Sequence, residues 1–414
     1  MKSVHITPAS PGISRREGLL LTLLGSTMAL AGCGGGGDSS SIGVGGVGGV
    51  GGGGTGSLSV GPISGIGSII LNGVRFDDSL ARVLDDDGAL RDRKELKLGM
   101  MVRVKGKVKA RKVDKTDEAE EISFGSDLLG PIESSSINVA AKTFKVFGQT
   151  VQITATTVFE DGLTFAVLLA NDIVEVHGFV DPVSSLMTAT RIERKLLANV
   201  KAFKLQGKIS NLNAATFQIG TLVIGFSPNV LPAGLSLSSG LLVRVRLATT
   251  PLTGTPTALR IRQVEVETED RDEAEVKGTV TEFTSSARFS VNGLQIDASG
   301  ITPLVNLKLG VRVEVQGRLV KGVLVAKKVG LEDEQDQFKF ELRGTVSGRS
   351  ATPVAIIFTL TSSGGIAVKV TVVLADVLFE SGLTAAGLRD GVRLEVKGVA
   401  SSDGTIKATR IKLD

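Results

Sequence analysis

Gly310-Val311-Arg312-Val313-Glu314-Val315-Gln316-Gly317 is the stretch that decides the fold. Three valines alternate with charged or amide residues between two glycines. Period-two alternation predicts a strand with one buried and one wet face. The pattern returns four more times. Gly99 to Gly106, Asn171 to Gly178, Gly240 to Leu247 and Gly391 to Gly398 carry the same alternation. The closing positions 106, 178, 247, 317 and 398 lie 72, 69, 70 and 81 residues apart. A period of this size predicts tandem small domains rather than a solenoid of short units.

Other parts recur around that strand. Openings align at Gly65 to Ile69, Leu205 to Ile209, Val276 to Val280 and Leu342 to Val346. Endings align as Ala189-Thr190-Arg191-Ile192, Ala258-Leu259-Arg260-Ile261 and Ala408-Thr409-Arg410-Ile411. Phe159-Glu160-Asp161-Gly162-Leu163 matches Phe379-Glu380-Ser381-Gly382-Leu383. The fourth unit displays the strand order. Phe289 to Val291 enters a turn at Asn292-Gly293 and Leu294 to Ile296 leaves it, a strong hairpin signal. Five short strands in about 70 residues predict an all-β chain of tandem five-stranded OB-like or SH3-like barrels. The expected divisions are a signal peptide over 1–32, a lipidated Cys33 with a disordered Gly-rich linker over 33–60, and repeats over 61–129, 130–200, 201–270, 271–336 and 337–414. The barrels are expected to follow the tether as a string of beads.

These repeats resemble the family named domain of unknown function 5666. The Gly-flanked strand, the Phe-Glu-x-Gly-Leu middle and the Ala-Thr-Arg-Ile ending carry the likeness, which spans most of 61–414. It is looser in the third unit, where Leu247 replaces the closing glycine. The resemblance implies a fold and no activity.

The N-terminus reads as an export signal. Leu30-Ala31-Gly32-Cys33 resembles a bacterial lipobox, preceded by a Leu-rich run and followed by Gly and Ser. The resemblance implies cleavage before Cys33 and acylation of its thiol. Two or more acyl chains give a lasting membrane anchor. Arg15 and Arg16 sit in a segment that resembles a twin-arginine signal, although Gly18 stands where Phe is usual; an ordinary secretory signal reads equally well. Gly34, in place of a retaining Asp, favours the outer membrane over the inner, facing periplasm or surface. The tether from Gly34 to about Val60 would span roughly 30 Å as a flexible coil. A membrane β-barrel is disfavoured, because a chain without Trp or Tyr cannot build its aromatic girdles.

Composition excludes much chemistry. The chain has 47 basic and 43 acidic side chains, which fall to 44 and 42 on loss of residues 1–32. Near-neutrality gives no electropositive footprint for nucleic acid, so no nucleic-acid partner is expected. Cys33 is the sole cysteine, which removes disulfides and cysteine-based metal sites. The mature chain keeps one histidine, His177, so no two-histidine metal site can form within it. Neither a phosphate loop nor a His-Glu-x-x-His motif occurs, and no cofactor, metal or enzyme activity is expected.

Two basic faces are candidate anion-binding sites. Alternation places Arg103, Lys105, Lys107 and Lys109 on one strand face. Arg244 and Arg246 would meet Arg260 and Arg262 if their strands pair, with Glu265 and Glu267 expected to balance them. The ordinary alternative for both is a solvated barrel face. Asp85-Asp86-Asp87-Gly88 reads as a turn and Glu332 to Asp336 as a linker, since neither has the spacing of a calcium loop. Glu175 and His177 share a strand face, read as an exposed polar pair with no nucleophile beside it. The expected role is a non-catalytic envelope lipoprotein that binds or scaffolds, with an anionic envelope polymer or a protein as partner. A surface adhesin or polysaccharide-binding protein is the alternative.

Overall fold

The computed structural model describes residues 56–107, 116–181, 184–250, 254–264, 268–332 and 340–414. Cys33, Arg15, Arg16 and the signal and most of the tether lie outside them, as do Lys109, Glu265 and Glu267. The described chain is all-β, with five 3-10 turns and no longer helix. Among the described residues no helix is long and apolar enough to cross a membrane.

Repeat 4 displays the barrel. Its first strand, Arg271–Ser285, pairs with the second, Arg288–Val291, which turns at Asn292-Gly293 into the third, Leu294–Asp297. The fourth strand, Arg312–Val320, returns beside the first, and the fifth, Val323–Leu331, beside the fourth. A parallel pairing of Gln295–Asp297 with Val323–Val325 joins third to fifth and closes the ring. The order first-second-third-fifth-fourth-first is the OB arrangement. Repeats 1 and 5 close in the same way, through Arg75–Asp77 with Thr116–Glu118 and Val370–Thr371 with Ile406–Lys407. In repeat 2 the parallel pairing is Leu186–Thr188 with Thr150–Gln152. Repeat 3 keeps a single parallel bridge, Gly225 to Thr257.

Both glycines of the repeating strand have physical causes. The opening position is left-handed in every repeat: φ is +77° at Gly99, +86° at Gly240, +83° at Gly310 and +88° at Gly391. Repeat 2 uses Asn171 there at φ 69°, and Asn tolerates that region better than other side chains. The closing glycine of the fourth strand, Gly106, Gly178, Gly317 or Gly398, lies opposite a bulge on the fifth strand. An added Cβ there would overlap a fifth-strand carbonyl oxygen, from Glu118, Thr188, Val325 and Lys407 respectively. Repeat 3 keeps the bulge with Leu247, which is fully buried in the core.

The repeats are interlocked, which corrects the beaded arrangement. The first strand of repeat 1 is Gly56–Ile66, so residues 56–60, expected in the tether, are paired strand. Its Ser57–Val60 segment lies parallel to Glu273–Val276 of repeat 4, and its other edge is antiparallel to Met101–Lys107. Gly65 and Ile66 pair with Glu341 and Leu342 of repeat 5. The first strand of repeat 2, Leu128–Pro131, starts two residues before the expected boundary and pairs directly with that of repeat 3, through Leu128–Leu129 and Lys204–Leu205. The cores follow these seams. Buried side chains of repeats 1 and 5 form one cluster, and those of repeats 2 and 3 form another. The third belongs to repeat 4, and Leu58 of repeat 1 is packed inside it. The alternating Ser-Leu-Ser-Val sequence explains the placement, since Leu58 and Val60 share the face that meets Ala274 and Val276.

Gly317→Ala is expected to destabilise the folded chain by about 1–3 kcal/mol, the cost of overpacking against a fixed backbone. Urea unfolding of the purified variant measures it. An unchanged midpoint would show that the bulge does not require glycine.

Candidate functional site

The two basic faces meet in one groove between repeats 1 and 3. The two strands pair, and the register sets Arg244 opposite Arg262 and Arg246 opposite Arg260. These four arginines line a groove of about 360 Å³ together with Arg103 and Lys105 of repeat 1. Lys107 does not join them: it lies outside the groove lining, exposed at the strand end, with its Nζ 2.6 Å from Glu120.

Counter-charge comes from an unexpected place. Asp85 Oδ1 accepts hydrogen bonds from the backbone N–H of Asp87 (2.9 Å) and Ala89 (3.0 Å), and Gly88 completes the turn at φ 81°. That geometry lifts Asp86 and Asp87 into the groove. Arg246 Nη2 donates to Asp86 Oδ1 at 2.7 Å and to Asp87 Oδ2 at 2.9 Å. Arg260 Nη1 donates to Asp87 Oδ1 at 3.0 Å. Arg244 Nε donates to Gln206 Oε1 at 2.6 Å, with Asp127 3.5 Å from its Nη2. Burial pushes the Asp127 carboxyl above its ordinary range, against the pull of Arg244. The lining holds Asp85, Asp86, Asp87 and Glu121 against six basic groups. Its charge surplus is therefore positive but small. Sequence spacing could not find this pairing, because Asp86 and Arg246 are 160 residues apart.

A second polar cluster continues from the groove into the interior. Lys204 Nζ sits 3.5 Å from Asp86 and 3.6 Å from Glu175. Lys195 Nζ reaches Glu175 at 2.9 Å and Glu193 at 2.5 Å, and Arg191 Nε donates to Glu193 at 2.5 Å. Arg191 Nη1 and Thr190 Oγ1 then donate to the carbonyls of Leu98 (3.2 Å) and Gly99 (2.7 Å) in repeat 1. Glu175 and His177 are thus no exposed pair. His177 is 1% exposed, and both ring nitrogens are buried without a hydrogen-bond partner. The reason is packing of neighbouring repeats over the outer face of the fourth strand, which the sequence of repeat 2 alone does not reveal.

Electrostatics follow burial. Desolvation lowers His177 to about 4, against the raising pull of Glu175 and Glu193. Burial opposes ionisation of Glu193, but Arg191 and Lys195 outweigh it and bring the carboxyl down to about 2. Glu175 is likewise held well below the usual carboxylate range: burial raises it, and His177, Lys204 and Lys195 together prevail. A neutral histidine with no solvent path and no partner is not placed to exchange protons with a substrate. Among the described residues, no group of three or more His, Cys, Asp or Glu side chains is arranged to hold a metal ion.

The fold and the groove define a tandem OB-type barrel protein whose repeats are joined by shared sheets and a charged seam. Residues 130–193, 277–330 and 343–412, within repeats 2, 4 and 5, match the family described as "Domain of unknown function (DUF5666)". Repeats 1 and 3, placed by sequence within the same resemblance, fall outside the matched segments. Repeat 3 departs from the repeating strand at Leu247, where repeats 1, 2, 4 and 5 have glycine. No curated protein matches the chain. A solved structure described as "drosophila Unr CSD456" aligns over 50% of this chain and 96% of its own at 12% identity, with a TM-score of 0.13, a likeness too slight to extend to fold or function.

The histidine gives a signed pH dependence. An unfolded histidine titrates near 6.5, so the unfolded chain takes up the proton first as pH falls. Stability from neutral His177 is present above about 6.5 and is lost as pH falls toward about 4. Between pH 7 and pH 5 the wild type should lose on the order of 1–2 kcal/mol more than His177→Leu in urea unfolding. Equal losses would show that His177 is not held neutral.

Proposed function

We propose that this chain is a non-catalytic envelope lipoprotein, anchored through Cys33, whose interlocked barrels form a rigid platform. In this reading the groove between repeats 1 and 3 binds an anionic segment of an envelope polymer. The observation that carries it is the convergence of Arg103, Lys105, Arg244, Arg246, Arg260 and Arg262 on a single groove from two separate repeats. Guanidinium groups suit bidentate carboxylate or phosphate recognition. Asp86 and Asp87 hold Arg246 and Arg260 in place before a ligand arrives, which reduces the ordering cost of binding. The interior His177 cluster supports the non-catalytic side of the reading, because its titratable groups are spent on holding repeats 1, 2 and 3 together.

Titration with a defined anionic polysaccharide over a range of salt tests the site. Binding should weaken steeply with salt. Arg244→Ala with Arg260→Ala should weaken it about tenfold or more and flatten the salt dependence. Binding that ignores salt, or that survives both changes, removes the groove from the account. Cys33→Ala should release the protein from the membrane fraction; a variant that stays membrane-bound would refute the anchor.

A further inference from the structure

A second cavity, of about 420 Å³, opens where the first strand of repeat 1 meets repeat 4. Ser57 and Ser59 pair in register with Glu273 and Glu275, and Glu275 pairs in turn with Gln316. Paired residues project to the same side, so these five side chains share one sheet face. Asn72, from the adjoining hairpin of repeat 1, completes the lining.

Most of the donors on this wall are already used. Asn72 Nδ2 donates to Ser59 Oγ and to the Val60 carbonyl, both at 3.1 Å. Gln316 Nε2 donates to Glu275 Oε1 and Glu314 Oε1, both at 2.8 Å. Oxygen acceptors are left over. Ser57 is 4% exposed and its Oγ has no hydrogen-bond partner; Asn72 Oδ1 is also buried without one. An orphaned buried polar atom is a cost to the folded state, which a ligand that satisfies it relieves. Burial and a hydrogen bond with Glu314 push Glu275 up to about 8, against the pull of Lys277, which lies 3.8 Å from Glu314. Lys327 is the one cationic residue among the described lining.

We propose that this cavity binds a small organic cation carrying primary ammonium groups, held by Glu275 and Ser57 Oγ. An ammonium offers three donors, no acceptor and a positive charge, which complements a wall of leftover oxygens. Tight metal coordination is not what the residues offer, since the described carboxylates do not gather three to one point.

Isothermal titration of the mature chain with putrescine and with spermidine at pH 8.5 tests the proposal, with CaCl2 and MgCl2 as comparisons. One saturable amine site is expected, weakened about tenfold or more by Glu275→Gln. Ser57→Ala removes a buried hydroxyl that has no partner, so it should hold or raise the thermal midpoint while weakening the amine. No saturable heat with either amine overturns the proposal. So does binding that both variants retain, which would mark diffuse attraction to surface carboxylates. Calcium or magnesium binding that the amines cannot displace overturns the ligand class.

Discussion

The strand Gly56–Ile66 is hydrogen-bonded along both edges, and the rest of the assembly depends on that constraint. One edge closes the barrel of repeat 1. The other supplies a parallel neighbour to repeat 4, and beyond Ile63 the strand end also pairs with Glu341 and Leu342 of repeat 5. Its two faces serve different cores: Leu58 belongs with Ala274 and Val276, whereas Ile63 and Ile66 belong with Phe340 and Leu342. A small barrel of about 60 residues buries a modest core by itself. Sharing one strand lets repeats 1, 4 and 5 pool apolar surface and leaves fewer unpaired edges, which would otherwise invite aggregation.

Charge joins the remaining repeats. From Arg191 through Glu193, Lys195, Glu175, Lys204, Asp86 and Arg246 to Asp87 and Arg260, each group lies within ion-pair distance of the next. Buried ion pairs add little net stability, because desolvation offsets most of the attraction. Breaking one partner is costly all the same, since it strands the other charge. Such a seam therefore fixes which repeat docks on which more than it holds them together. At its groove end the same arginines are preset for an anion, so docking and binding draw on one set of side chains.

Much of the fold could be read in the sequence. The Gly-flanked alternating strand, the Asn292-Gly293 hairpin and the 70-residue period led to five-stranded barrels, because left-handed turns, bulges and alternation are local demands on residue type. That Arg244 and Arg246 would meet Arg260 and Arg262 was legible for the same reason, while the register came from the structure. What was hidden is relational. Gly56–Val60 has the composition of a tether end, and only the neighbouring repeat 4 makes it a strand. Asp86 and Asp87 look like turn residues and are turn residues; that they neutralise arginines of another repeat depends on how two barrels dock. His177 looks exposed on its own strand and is buried by its neighbours.

The central claim is that the repeats are one interlocked body and that the Gly56–Val60 segment joins repeat 1 to repeat 4. Native-state hydrogen exchange on the chain with residues 1–60 removed tests it most directly. The account predicts that amides of Ala274 to Val276 lose protection by tenfold or more relative to the longer chain, since Leu58 leaves their core and their strand loses a neighbour. Unchanged protection at those amides would mean that repeat 4 stands alone, and the interlocked account would be wrong.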